Sequence, residues 1–255
     1  MKDLSTVLEE TFLKYSTCLT YSDKGSHSDN SGWSTVRFST HFKRPKSIRF
    51  EWSGETNITR QGFVPDAAKS TVLRCDAKGV CTYFDPRNTE EPELHFPSLA
   101  NMLREDSMLS GSVTDVIPPL LTREFGLAPR WGKKAFRKIE KIDGQEGYPF
   151  CAERSYMQYS RCGAATVTDT IWIDENFQIG RFRHQIVAKA VDKRISKFVS
   201  SIYKNKPELL ERHLAKDDIF IDDYHFSEVT FDKDIDDALF TVDLNEQLTS
   251  PLNKI

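Results

Sequence analysis

What the chain has little of narrows it first. No stretch approaches the roughly eighteen consecutive apolar residues that a membrane-spanning helix needs. The first twenty residues are amphipathic and studded with charge, unlike a secretory leader. The chain is therefore expected to be soluble, and Met1 followed directly by Lys2, Asp3 and Leu4 reads as a start placed at a domain edge. Basic residues never run longer than two, and Lys+Arg 35 against Asp+Glu 38 leaves a formal charge of -3. The electrostatic footprint of a nucleic-acid binder is absent. Cysteine is scarce and odd in number, five without any Cys-x-x-Cys, which leaves a structural zinc or a thioredoxin-type site without support. Also missing are Gly-x-Ser-x-Gly, His-Glu-x-x-His, a phosphate loop and Gly-x-Gly-x-x-Gly. No catalytic residue, metal or cofactor is expected.

What is present is aromatic. Against an apolar share of only 38%, 17 Phe, 8 Tyr and 4 Trp make 11% of the chain, a balance that suits sheets better than helix bundles. With 255 residues, no linker-like shift in composition and no internal repeat, residues 1–255 are read as a single domain. Leu4, Val7, Leu8, Thr11, Phe12, Tyr15, Cys18 and Leu19 recur at three- and four-residue steps and predict a first helix. Residues 22–32, rich in Ser, Asp, Asn and Gly, read as a polar loop. The period then changes to two: Val36, Phe38, Thr40 and Phe42 alternate with polar residues, and after a turn at Pro45 so do Ile48, Phe50 and Trp52.

A second hairpin is predicted over residues 71–84, with Lys78-Gly79 at its tip. There Cys75 and Cys81 fall opposite one another, and a disulfide or two free thiols fit the spacing equally. Further strands are predicted over 136–142, 148–159, 167–173, 178–188, 195–203 and 224–231, with short helices over 97–105, 113–121 (interrupted by Pro118-Pro119) and 207–215. Strands joined mostly by tight turns, with helices gathered in a few places, predict an α+β fold on an antiparallel sheet. The six histidines read as surface or satisfied core groups, and the aspartates at 217, 218, 222, 223, 232, 234, 236 and 237 as a solvated acidic face lacking EF-hand spacing.

The order of these segments resembles the periplasmic outer-membrane lipoprotein carrier superfamily. Phe42-Lys43-Arg44-Pro45 followed by Ile48-Arg49-Phe50-Glu51-Trp52 carries the likeness most specifically. It is joined by Tyr83-Phe84-Asp85-Pro86, by Thr170-Ile171-Trp172-Ile173-Asp174 with Ile179-Gly180-Arg181, and by Ser227–Asp232 with Ile235 and Phe240. Ser98–Leu103, Ser110-Gly111-Ser112 and Pro119-Leu120-Leu121 are similar to its larger predicted periplasmic branch. The resemblance implies a strongly curved antiparallel sheet, an incomplete β-barrel, whose concave face is covered by helices and encloses an apolar cavity. It also implies non-catalytic binding of a lipid or an acylated lipoprotein, a periplasmic location, and no cofactor. The runner-up use is a cell-envelope sensor that docks a protein partner on the same half-barrel.

In that scheme Val36, Phe38, Phe42, Ile48, Phe50 and Trp52 line the ligand, or else form ordinary core beneath helices. Arg44 is implied as a latch to the helical lid, residues 98–105 and 113–121; composition alone allows a solvated turn arginine instead.

Overall fold

The computed structural model describes residues 4–30, 34–56, 70–85, 93–99, 101, 116–122, 147–160, 163–188 and 218–241. The predicted strands at 136–142 and 195–203, the helix at 207–215 and residues 100 and 102–105 of the helix at 97–105 lie outside them. Ten strands form one open antiparallel sheet: β1 (Thr20–Asp29), β2 (Ser34–Lys43), β3 (Ser47–Thr56), β4 (Thr71–Cys75), β5 (Cys81–Phe84), β6 (Glu93–Phe96), β7 (Phe150–Ser160), β8 (Gly163–Ile173), β9 (Ile179–Ala188) and β10 (Asp218–Phe231). Among the described residues helix is sparse: α1 (Leu4–Thr17), the six-residue α2 (Ile117–Thr122), and a 3-10 turn at Asp237–Phe240.

The strand order is β6-β5-β4-β3-β2-β1-β10-β9-β8-β7. Two antiparallel runs therefore meet at a seam where the first strand pairs with the last. Both ends of that seam are clamped by polar side chains. At one end the Asp232 carboxylate accepts the Leu19 N–H at 2.6 Å and the Thr20 hydroxyl donates to the Lys233 carbonyl at 2.5 Å. At the other, Asn30 donates to the Ile219 carbonyl at 2.8 Å and accepts the Ile221 N–H at 3.0 Å.

The segment read as a polar loop is the central strand β1. Its positions toward the core face are Tyr21, Asp23, Gly25 and His27, and a strand whose inward positions include a carboxylate, a glycine and an imidazole has no hydrophobic alternation to read. Gly25 is required by packing. The Phe38 ring from β2 lies across it to reach Phe226 of β10, ring centroids 5.7 Å apart. A β-carbon at Gly25 would fall within that ring and 2.6 Å from the His225 carbonyl oxygen.

Two further expectations are corrected. The helix ends at Thr17, and Leu19, counted in its stripe, is 68% exposed. Pro118 and Pro119 do not interrupt a helix; they occupy the first turn of α2, where the absent N–H groups have no intrahelical partner to lose. The predicted hairpin of β4 and β5 is present, and Cys75 and Cys81 are joined as a disulfide. Its loop is closed by Asp76, whose carboxylate accepts the N–H groups of Lys78 and Val80, with Gly79 at φ +87°. The β8–β9 turn repeats the device, Asp174 accepting from Asn176 and Gln178.

The substitution Gly25→Ala is expected to lower stability by about 1–3 kcal/mol through overpacking. Urea unfolding of Gly25→Ala, Phe38→Leu and the double variant checks it: the double variant loses less than the sum, because the smaller side chain vacates the space the new methyl needs.

Candidate functional site

Alternation along β2 and β3 sends Val36, Phe38, Phe42, Ile48, Phe50 and Trp52 to one face, in a register that sets Phe38 opposite Trp52 and Phe42 opposite Ile48. All but the half-buried Val36 belong to one buried cluster, and Phe42 and Ile48 are fully enclosed. Rings of Phe226, Phe38, Phe50, Trp52 and Tyr83 follow one another across the face at 5.7, 5.6, 5.4 and 5.9 Å. Each pair is within aromatic contact range.

Helix α1 lies on this face. Tyr15 meets Tyr21 and Phe231 at 5.3 and 5.0 Å, and its hydroxyl oxygen accepts the Ile179 N–H at 3.0 Å. Burial pushes both phenols up well above their ordinary pKa, so each stays neutral.

Arg44 stands in the β2–β3 turn, preceding a cis peptide to Pro45. Its Nε donates to the Cys18 carbonyl at 2.7 Å, and its Nη2 to the carbonyls of Ser16 at 2.5 Å, Leu121 at 3.1 Å and, more weakly, Tyr15 at 3.5 Å. The guanidinium also sits 5.2 Å from the Phe42 ring centre. The cause is general: the last carbonyls of a helix have no intrahelical donors and carry partial negative charge, and a forked cation answers both needs. One side chain thus holds the end of α1, the end of α2 and the aromatic face together.

Polar groups on the same face were not singled out by sequence reasoning. Asp23 is buried beside α1, accepting from the Tyr21 hydroxyl at 2.6 Å and the Thr40 N–H at 2.9 Å. Burial pushes its carboxyl up to about 6, although these hydrogen bonds pull it the other way. Farther along, Arg154, Asp169, His184 and Asp222 stand directly opposite one another on β7, β8, β9 and β10. Arg154 and Asp169 are an ion pair with both side chains nearly enclosed. His184 Nδ1 lies 2.6 Å from Asp169, and His27 Nε2 lies 3.0 Å from Asp222. The signal that could have found the row is register: with the β7–β8 hairpin aligned, Arg154 and Asp169 interrupt its apolar face at the same level.

Of the acidic residues, Asp232, Asp234, Asp236 and Asp237 are exposed as expected, while Asp222 and Asp223 are half-buried. Asp222 holds His27, and Asp223 lies between Arg181 and Arg183 on the opposite face. Burial alone would raise the Asp223 carboxyl, but those two guanidiniums hold it below its ordinary value. Asp236 caps the 3-10 turn and Asp237 pairs with Lys43. Cys18 and Cys151 are buried free thiols that burial pushes up to about 11, which makes them poor nucleophiles.

No family model matches the chain, and no curated protein sequence does. Among solved structures it is similar to LprF from Mycobacterium bovis, at 9% identity and a TM-score of 0.44, covering 91% of this chain and 94% of that one. It is also similar to a DUF1329 family protein from Desulfovibrio piger, at 9% identity and a TM-score of 0.36, covering 93% of this chain and 95% of that one. A domain from Vibrio parahaemolyticus described as outer membrane lipoprotein-sorting is similar at 8% identity and a TM-score of 0.36, covering 96% of this chain and 97% of that one.

Asp23 makes stability depend on pH. Its folded value is raised above the ordinary 3.8, so its contribution is fully present below about 3.8 and is lost as pH rises through about 6. Unfolding measured from pH 4 to 7 is expected to show that loss, at most about 3 kcal/mol at about 1.4 kcal/mol per pH unit. Asp23→Asn is expected to flatten this part of the profile; an unchanged slope would remove Asp23 as its source.

Proposed function

We propose that the protein binds an apolar ligand without catalysis, a lipid or the acyl chain of a lipoprotein, on the aromatic face of the sheet, and carries it across the periplasm. The observation that carries this reading is the reach of Arg44. A single guanidinium fastens both described helices over a continuous aromatic face, so a change at one side chain exposes or closes that face. Val36, Phe38, Phe42, Ile48, Phe50 and Trp52 are the proposed ligand wall, α1 and α2 its cover on the concave side of a half-barrel, and the burial of Phe42 and Ile48 is that of a closed state.

Magnitudes suit reversible opening. Hydrogen bonds from a charged donor contribute about 1.5–3 kcal/mol each net, so the three shorter Arg44 bonds are worth roughly 4.5–9 kcal/mol. Burying a methylene gains about 0.8 kcal/mol, so a chain of about eleven methylenes or more outweighs even the upper figure for the latch. The Cys75–Cys81 disulfide supports an oxidising compartment, as the periplasm is. The whole chain is proposed to act as one carrier-like domain.

Native mass spectrometry and organic extraction of the purified protein are expected to reveal a bound lipid. Arg44→Leu is expected to speed exchange of a fluorescent long-chain fatty acid at least tenfold, with the fold retained by circular dichroism. No co-purifying lipid together with no probe uptake would overturn the reading, leaving the sheet as a docking surface for an envelope protein. Unchanged exchange in Arg44→Leu would remove the latch alone.

A further inference from the structure

The row of charged residues on the aromatic side of the sheet is poorly explained by stability. Arg154, Asp169, His184 and Asp222 are cross-strand neighbours on four consecutive strands, with apolar levels on either side. Toward α1 the next level is Ala152, Ile171, Phe182 and Tyr224; away from it, Tyr156, Val167, Ile186 and Phe220. A buried ion pair such as Arg154–Asp169 generally adds little over apolar residues of the same volume. A polar level set inside an apolar face is what an amphipathic ligand needs at one end.

The hydrogen bonds fix what the row offers. A neutral imidazole has one N–H and one bare nitrogen, and a carboxylate only accepts. His184 places Nδ1 on Asp169 and therefore donates through it, leaving Nε2 as an acceptor. His27 places Nε2 on Asp222, leaving Nδ1 as an acceptor; His27 is only 6% exposed, its ring lies 4.6 Å from Tyr224, and among the described residues Nδ1 has no partner. A buried acceptor left unmatched costs free energy that a donor on a ligand would recover. His184 and Asp222 are the more open members, their side chains 27% and 28% exposed. The fixed charges are one guanidinium and two carboxylates, so with neutral imidazoles the row carries one net negative charge.

We propose that this row is the head-group end of the ligand site, and that it selects an amphipath whose head bears hydrogen-bond donors, an ammonium or hydroxyls, over one with a carboxylate or phosphate head. The proposal rests on the reading of the aromatic face as the seat of an apolar chain. From the level of Val36, which His27 pairs, to Phe42 is six residue steps along β2, about 20 Å at roughly 3.3 Å per residue. A twelve-carbon chain laid from the row toward Arg44 fits within that span.

The test is displacement of the uncharged, donor-free probe 1,6-diphenyl-1,3,5-hexatriene from the full chain at pH 8 by dodecylamine, 1-monododecanoylglycerol and dodecanoate. The amine and the glyceride are expected to bind at least tenfold more tightly than the carboxylate. Asp222→Asn and His184→Gln are expected to bring that ratio to within threefold of one, with the fold retained by circular dichroism. Equal binding of the three chains, or a ratio that survives in both variants, overturns the head-group assignment and leaves the apolar-ligand reading standing. If neither probe nor chains bind, the apolar-ligand reading fails and the head-group assignment fails with it.

Discussion

Around the end of α1, the Arg44 guanidinium meets carbonyls that the helix cannot satisfy by itself, and it reaches the Leu121 carbonyl at the end of α2 in the same gesture. Its own strand turn places it there: the Arg44 N–H donates to the Leu19 carbonyl at 2.9 Å, so the turn between β2 and β3 is docked against the residues following the helix before the side chain is considered. Other contacts depend on that docking. Tyr15 can reach the Ile179 N–H and Lys14 the Asn176 carbonyl because the helix is held at the β8–β9 end of the sheet by its own C-terminus. Lysine in place of Arg44 would supply the charge without the fork that serves several carbonyls at once.

How much of this was legible follows from the chemistry of each buried position. β2 and β3 put aromatic and aliphatic side chains toward the core and polar ones away, and their alternation, their turn and their joint face could be read directly. The helix stripe was legible for the same reason. β1 was not, because between two strands a segment can be held by ladders on both edges and needs few apolar side chains of its own. Its inward positions are filled by groups with particular partners: Asp23 by Tyr21 and Thr40, Gly25 by the Phe38 ring, His27 by Asp222. None of these partners is near in sequence, so no local pattern announces them. The aspartates of β10 mislead in the opposite direction, reading as solvent-facing while Asp222 and Asp223 point to opposite faces and are each engaged by basic side chains from other strands.

Two kinds of buried polarity on the aromatic side have different physical standing. Asp23 is enclosed among Tyr15, Tyr21 and Thr40 opposite the bulge in β10, and its carboxyl, pushed up by burial, records a cost that the fold bears. The Arg154–Asp169 pair is compensated within itself, and His184 extends it laterally toward more open ground. The first arrangement leaves little for a ligand to add. The second presents acceptors in a place where water has limited access, the condition under which a single hydrogen bond discriminates strongly.

The sheet and the helices are secured by different means, and that difference bears on which part could move. Across the seam of β1 and β10 the ladder is continuous apart from one bulge, and side chains of Asp232, Thr20 and Asn30 close it at both ends. On the outer side, Arg181 and Arg183 grip Asp223 and stack over Trp172, tying β8, β9 and β10. Separating these strands would break many backbone bonds at once. Lifting α1 and α2 breaks, among other contacts, the Arg44 bonds and those of Tyr15 and Lys14, while each helix keeps its own internal hydrogen bonds. Local openings of low free energy arise where few long-range bonds must be broken together. The continuous ladder of the β1–β10 seam is far from that condition, so the sheet is the fixed frame against which the helices are held.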